Sequence, residues 1–491
     1  MSLTTALNNA QAIFNNSGTQ SSVVSNNIAN AGNTDYSRRQ AMLTTDMSGA
    51  QVVTIARANE PALQKAFLSS TSSDAAQQAL LKAYESLKSG TLGGNDNEIS
   101  AATYLSTFQT AMQTYASSPS STTAAQSAIN AAQSLATSLN NATTAVQSVR
   151  ADADKQIASD VDTLNGLLKQ FQTANDAVTS ATATAGSTST ALSDALDQRD
   201  SVLKQISQIV GVTTVTRDNN DVALYTTGGA TLFETVPRAV TFTPTMSYVA
   251  GTAGNNVYID GVAVAAGDGA STTAQGSLQA ALQVRDEVAP TYQMQLDEIA
   301  RGLVTTFAET NQTDATKAPG LFTWSDGTVP ASGTVVTGMA GSIAVNPALL
   351  TTSTQTGDPT LLRDGGINGA DYVVNATGGS GYSDLLDAYI TGMNTKMDFD
   401  ATAGSDTSSS IMDYASSSIG WLEGQRSTAT TAAENTSAAL SRSSTAYSNE
   451  TGVNLDEELT LMMDIEQSYK AGTKILNAVN EMLQSVLDIA S

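Results

Sequence analysis

Not one histidine or cysteine occurs among the 491 residues, so carboxylates are the only abundant side chains left for acid–base or ligand chemistry. That excludes a Ser-His-Asp triad, a Cys-His dyad and a Cys/His zinc site. The 46 Asp and Glu do not recur at calcium-loop spacing, and none stands beside a glycine-rich phosphate loop. The sequence therefore offers no catalytic centre, no cofactor site and no metal site, and the expectation is a protein that is not an enzyme. With only 22 Lys plus Arg the formal net charge is −24, which repels phosphate backbones and anionic lipid, so neither nucleic acid nor membrane is an expected partner. Without cysteine no disulfide staples the fold, and packing or neighbouring subunits must hold it.

The chemistry that remains is that of assembly, and it is concentrated at the two ends. Leu3, Leu7, Ala10, Phe14, Ser17, Ser21, Val24, Ile28 and Ala31 follow alternating steps of four and three, a coiled-coil seam with two polar positions. Leu459, Met462, Ile465, Tyr469, Gly472, Leu476, Val479, Leu483, Val486 and Ala490 keep nearly the same alternation. Leu461, Ser468, Ile475, Met482 and Ile489 add a second stripe with a repeat of seven. Burying about a dozen large side chains on such a wide face is worth roughly 20 kcal/mol before ordering costs. Two arrangements satisfy it: the ends pair with each other inside one unit, or the pair is a stave of a polymer whose seam closes only on assembly.

The elements that position these ends follow from proline and glycine. Pro61 and Pro119 are the only prolines before Pro237 and none follows Pro359, so long helices are permitted at both ends. Most of the 36 glycines fall between Gly211 and Gly381, which places the β-rich part in the middle. Val212–Thr216 and Val222–Thr226 read as a hairpin across Asp218, Asn219, Asn220 and Asp221. A second hairpin is signalled around Asp260-Gly261, a dipeptide favoured in type I′ turns. Further strands are expected at 239–243, 342–345 and 372–374, and a long helix at 276–310. Leu80, Tyr84 and Leu87, then Tyr104, Phe108, Met112 and Tyr115, mark helical faces in the flanks. The fold class is α+β: long terminal helices forming a coiled coil (1–34 and 455–491), a helical-bundle middle domain (35–211, 276–311 and 380–454) and an inserted β-rich outer domain (212–275 and 312–379). No secretory n-region precedes Arg38 and no apolar run reaches the roughly 18 residues of a membrane span, so export would need a route without a cleaved signal.

Ser25-Asn26-Asn27-Ile28-Ala29-Asn30-Ala31-Gly32-Asn33-Thr34-Asp35-Tyr36-Ser37-Arg38-Arg39-Gln40 resembles the signature of flagellar rod, hook and hook-associated proteins, and its Tyr-Ser-Arg ending is similar to the hook-associated members at the hook-filament junction. Thr451-Gly452-Val453-Asn454-Leu455-Asp456-Glu457-Glu458-Leu459, then Gln467-Ser468-Tyr469-Lys470-Ala471, is similar to the same family's carboxy-terminal signature. Physically it also reads as a helix entry capped by Asn454, with acids in the first turn. Leu196-Asp197-Gln198-Arg199-Asp200 and Arg285-Asp286-Glu287, with Gln295-Leu296-Asp297-Glu298-Ile299-Ala300, match as inner segments. The chain departs from the commonest pattern in having Gly32-Asn33-Thr34-Asp35 where Asn-Thr-Pro-Gly is frequent, and its middle is short for a large extra outer domain.

The resemblance implies a secreted, extracellular structural subunit of the bacterial flagellum, exported through the flagellar type III system and connecting hook to filament. The implied partners are a homo-oligomeric ring of its own copies, the hook protein, the second hook-filament junction protein and a dedicated export chaperone on the apolar carboxy-terminal face. The implied assembly interface is Leu3, Leu7, Ala10, Phe14, Val24, Ile28, Leu459, Met462, Ile465, Tyr469, Leu476, Val479, Leu483 and Val486. Asn26, Asn27, Asn30, Tyr36 and Arg38 are expected at the inter-domain connection, and both ends are expected to order as they assemble. Two alternatives remain open on sequence: another axial subunit (second junction, hook or rod), or a secreted adhesin or enzyme carried on flagellar-type termini.

Overall fold

A computed structural model describes residues 3–45, 51–185, 189–351 and 356–490. Helix α1 (Leu3–Ala29) leads into a hairpin, β1 (Arg39–Thr45) and β2 (Gln51–Arg57), then α2 (Pro61–Thr91), whose proline sits in the first turn where a missing N–H costs no helical bond. Ser100 caps α3 (Ala101–Ser117), its hydroxyl accepting from the Thr103 amide at 3.2 Å. With no proline from 120 to 236, α4 (Thr122–Ala185) runs for 64 residues. Helix α5 (Thr190–Ile209) follows, capped by Ser189.

The middle then turns to short antiparallel strands, as the glycine distribution predicts. β3 (Val212–Thr216), β4 (Val222–Thr226) and β5 (Thr231–Phe233) form one sheet. β6 (Val240–Thr241), β7 (Tyr258–Ile259) and β8 (Val262–Ala263) form another. Asp260 and Gly261 both have positive φ between β7 and β8, the conformation a type I′ turn demands. The helix expected at 276–310 is α6 (Ser277–Gln283), a π turn (Val284–Val288) and α7 (Ala289–Thr306) in unbroken succession. It begins at Gly276 with φ 87°, where a Cβ would lie 2.3 Å from the Ile209 carbonyl, so only glycine lets the chain pass. It ends before 310, because Glu309–Thr310 pairs as a short strand with Lys317–Ala318. Two more two-residue ladders, Phe322–Thr323 with Ala344–Val345 and Met397–Asp398 with Ser408–Ser409, lie among α8 (Leu361–Asp364), α9 (Asp384–Asn394), α10 (Ile411–Thr451) and α11 (Leu455–Ala490).

Two expectations need correction. Residues 372–374 form no strand: 370–372 is a 3-10 turn between positive-φ Gly366 and Gly369 and the Val373 bridge to Gly365, too tight for an extended ladder. Residues 39–45 and 51–57, placed in the helical domain by their neighbours, pair as the antiparallel strands β1 and β2.

Packing divides between two main apolar clusters. The larger joins α2, α3, the first half of α4, α7, α9 and α10, with Phe108, Phe307 and Phe322 mutually 5.3–5.6 Å apart at its centre. The second joins Ile157 to Phe171 of α4 with α5, β4 and β5, Phe171 meeting Phe233 at 5.1 Å. Helix α4 runs through both. Strands β3 to β7 contribute to the second cluster, whereas Phe322 and Val345 belong to the first, so the two β-rich stretches do not share a core of their own.

Candidate assembly interface

α1 and α11 lie against each other along their lengths. Ala10, Ser17 and Val24 of α1 and Ile465, Gly472 and Val479 of α11 are buried between them. Gly472 forms the waist, since a Cβ there would sit 3.0 Å from Ile13 Cγ2 and 3.4 Å from a Phe14 ring carbon. Beside it the Phe14 and Tyr469 rings meet edge to face at 4.9 Å. The two polar seam positions have a use: Ser17 is buried in the pair, and Ser21 donates to the Met462 sulfur at 3.7 Å.

The remaining seam residues divide. Leu3, Phe14, Ile28, Met462 and Leu476 are half-buried, but Leu7, Leu459, Tyr469, Leu483 and Val486 stand exposed. Leu455, Leu461, Met463, Met482 and Leu487 are exposed as well, the last at 66%. The side chains of Ile489 and Ala490 lie outside the described residues. Helix α11 is 36 residues long, about 54 Å at 1.5 Å per residue, and α1 covers only one side of it.

The connection to the body is built on one buried amide. Asn27 Oδ1 accepts from the Tyr36 hydroxyl at 2.8 Å and from the Arg39 amide at 3.1 Å, while Nδ2 donates to the Arg39 carbonyl at 2.8 Å and to Glu458 at 3.0 Å. Burial pushes the Tyr36 hydroxyl up to about 12, so it remains a donor at any neutral pH. Arg38 reaches Glu458 at 2.7 Å and Glu457 at 2.8 Å in the first turn of α11, which Asn454 caps through the Asp456 amide at 3.0 Å. Asn27, Tyr36 and Arg38 are thus brought together across α1 and α11. Asn30 Nδ2 donates to the Asn26 carbonyl at 2.9 Å, and the Asn30 backbone joins the turn that follows α1, so these two asparagines stay out of the network around Asn27.

Sequence reasoning missed the acidic partners Glu457 and Glu458, and the basic pair Arg39 and Arg57. Arg57 reaches Asp197 at 2.7 Å and Asp200 at 2.6 Å, and Arg39 reaches Asp194 and Asp197. Burial works against the Arg57 charge, yet Asp200 and Asp197 hold its guanidinium above its ordinary value. The signal was present, since Asp197 and Asp200 belong to the inner segment singled out by resemblance. The other inner segments act alike, as buried struts. Arg285, fully buried, bonds Asp154 at 2.9 Å and the Asn255 carbonyl at 2.8 Å. Asp297 accepts the Gly338 and Ala340 amides at 2.8 Å each, and Glu298 pairs with Arg301 at 2.7 Å. Among the described residues no group of three or more acids is placed to hold a metal ion, and no helix is long and apolar enough to cross a membrane.

A paired-helix terminus hung from a helical body is where comparison with known proteins becomes informative. Residues 89–320 match the family model of the flagellar hook-associated protein FlgK helical domain, and 445–489 match that of the flagellar basal body rod FlgEFG protein C-terminal region. Both matches fall among the proteins of the flagellar axis, and over these two stretches the chain is similar to that class. Over the helical domain the similarity is to FlgK, the flagellar hook-associated protein. A solved structure of the flagellar hook junction protein FlgK from Burkholderia pseudomallei is similar at a TM-score of 0.42 and 19% identity, over 53% of this chain and 47% of that one. The chain thus aligns with about half the length of that relative. No protein of curated function matches the sequence.

Proposed function

We propose that this chain is a non-enzymatic structural subunit that assembles at the hook-filament junction of the bacterial flagellum and connects hook to filament. The observation that carries the reading is α11 itself, on which nine large apolar side chains, from Leu455 to Leu487, are exposed although α1 packs along it. So many exposed apolar side chains on one helix mark an interaction surface. Covering what remains exposed of those side chains is worth roughly 10 kcal/mol before ordering costs. A ring of copies supplies the cover, each α11 packing against the terminal pair of its neighbour, while Gly472, Ile465 and Val479 hold α1 within the subunit. The α1–α11 pair forms within the subunit and assembly completes its cover, and the hook protein and the second junction protein stack on the two sides of the ring. Before export through the flagellar type III channel, a dedicated chaperone shields the 455–489 face, and a chain without cysteine threads the channel free of cross-links.

The test is a strain whose own copy lacks residues 455–491, examined by swimming and by electron microscopy of shed material. Hooks without filaments, with filament protein lost to the medium, are expected. Normal filaments and motility would overturn the reading.

A further inference from the structure

The terminal pair shares no apolar cluster with the body, and the Phe67–Tyr447 ring stack at 5.8 Å is the aromatic contact at their boundary. Among the described residues, none of 3–57 or of 436–490 belongs to any of the three apolar clusters. At the elbow lies instead a partly open cleft of 180 Å³, lined from both sides by Asp35, Tyr36, Arg57, Phe67, Lys204 and Tyr447. Close-packed interiors transmit orientation because their side chains cannot shift, and a cleft open at the joint does not supply that constraint.

What grips across the elbow is ionic. Asp194, Asp197 and Asp200 recur every third residue on α5 and so line one face of it. Arg39 and Arg57 stand directly opposite each other in the β1–β2 register, a like-charged pair that repels when left alone. Asp197 lies between them, accepting from Arg57 Nε at 2.7 Å and pairing with Arg39 Nη2 at 3.3 Å, and it also accepts the Ser37 amide at 3.3 Å. Asp200 takes the other side of Arg57 and Asp194 that of Arg39. Both arginine side chains are 6% exposed and Asp197 12%, so water screens these pairs far less than surface pairs. The neighbouring Arg38 faces the other way, onto Glu457 and Glu458 of α11. Successive residues thus hold the two sides of the joint, and α1 packs directly on the hairpin.

We infer that Asp197 is the positioning residue of this elbow: with Asp194 and Asp200 it closes the like-charged end of the hairpin onto α5 and so sets the angle at which α1 and α11 leave the body. The angle belongs to a single chain, so the inference stands apart from the role at the junction.

The chain has no cysteine, so spin labels go only where cysteines are introduced. Gln467→Cys on α11 and Glu85→Cys on α2 are both exposed and outside the elbow. Pulsed electron double resonance on the full-length free chain is expected to give one narrow distance distribution. Asp197→Asn should lose the sharp maximum and spread the distribution, with helix content and the melting of the body unchanged, and Asp197→Glu should restore it. Should Asp197→Asn fail to fold, the double variant Arg39→Gln/Arg57→Gln, which leaves no buried cation unpaired, is expected to spread it in the same way. A distribution that stays narrow in a folded Asp197→Asn or in the double variant, or one already broad in the unsubstituted elbow, overturns the inference.

Discussion

Replacing Glu458 by glutamine perturbs the joint at its most buried carboxylate while keeping its volume. Glu458 is fully buried and takes two donors, Arg38 Nε at 2.7 Å and Asn27 Nδ2 at 3.0 Å. A glutamine offers one acceptor and one donor group, so either Arg38 or Asn27 must face another donor. Asn27 keeps its bond to the Arg39 carbonyl, and Arg38 keeps Glu457, an exposed partner that water screens. A hydrogen bond to a charged group contributes about 1.5–3 kcal/mol, and the remaining partners argue for the middle of that range, about 2 kcal/mol. Both tryptophans, Trp324 and Trp421, pack on the larger cluster of the body, so their fluorescence does not report on the ends. Amide hydrogen exchange does: 2 kcal/mol of local stability corresponds to a roughly 30-fold loss of protection in the first turns of α11 and in the last turns of α1. The urea midpoint read by tryptophan should not move. Unchanged protection at 455–465, or an equal loss throughout the body, would refute the reasoning. A double-mutant cycle with Arg38→Met should recover a coupling on the order of 1–2 kcal/mol.

Other expectations follow from the same geometry. Burial pushes the Asp297 carboxyl up from 3.8 to about 6, against the Gly338 and Ala340 amides that favour its charged form. The folded state therefore binds the proton more tightly than the unfolded one. Stability from this group is present at low pH and is lost as pH rises through 6, by on the order of 2–3 kcal/mol. Urea unfolding between pH 4.5 and 7.5 should show a flatter profile in Asp297→Asn, whatever that variant's absolute stability, and an unchanged slope would contradict the assignment. Leu487→Asp alters a side chain already 66% in water, so the free chain should lose less than about 0.5 kcal/mol while polymer formation, read by sedimentation, is abolished. Phe108→Ala removes a ring that meets Phe307 and Phe322 and should destabilise the body by about 3–5 kcal/mol in urea melts.

Local signals were legible where one turn decides the structure. Asp260-Gly261 and Asn219-Asn220 adopt the positive φ that their residue types foretell, and Asn454 caps α11 as its chemistry demands. The apolar faces of Leu80, Tyr84 and Leu87 and of Phe108, Met112 and Tyr115 are buried at helical spacing. The β1–β2 hairpin was overlooked although Val52, Val53 and Ile55 supply a β-branched run, because the chain on both sides is helical. The resemblance placed Asn27, Tyr36 and Arg38 at the joint, but their partners could not be read: Arg38 and Glu458 are 420 residues apart, and only the folded chain shows that the charged inner segment at 197–200 faces the arginines of the amino-terminal hairpin. Periodicity gave the apolar stripes at both ends but not which part α1 would cover, since that depends on the waist at Gly472.

Electron cryomicroscopy of the native hook-filament junction, at a resolution that shows side chains, tests the central claim most directly. The account predicts a ring of this chain with α1 and α11 on the inner wall and with Leu459, Leu483 and Val486 buried against the terminal helices of neighbouring copies. A junction in which those three side chains face solvent, or which lacks this chain altogether, would contradict it.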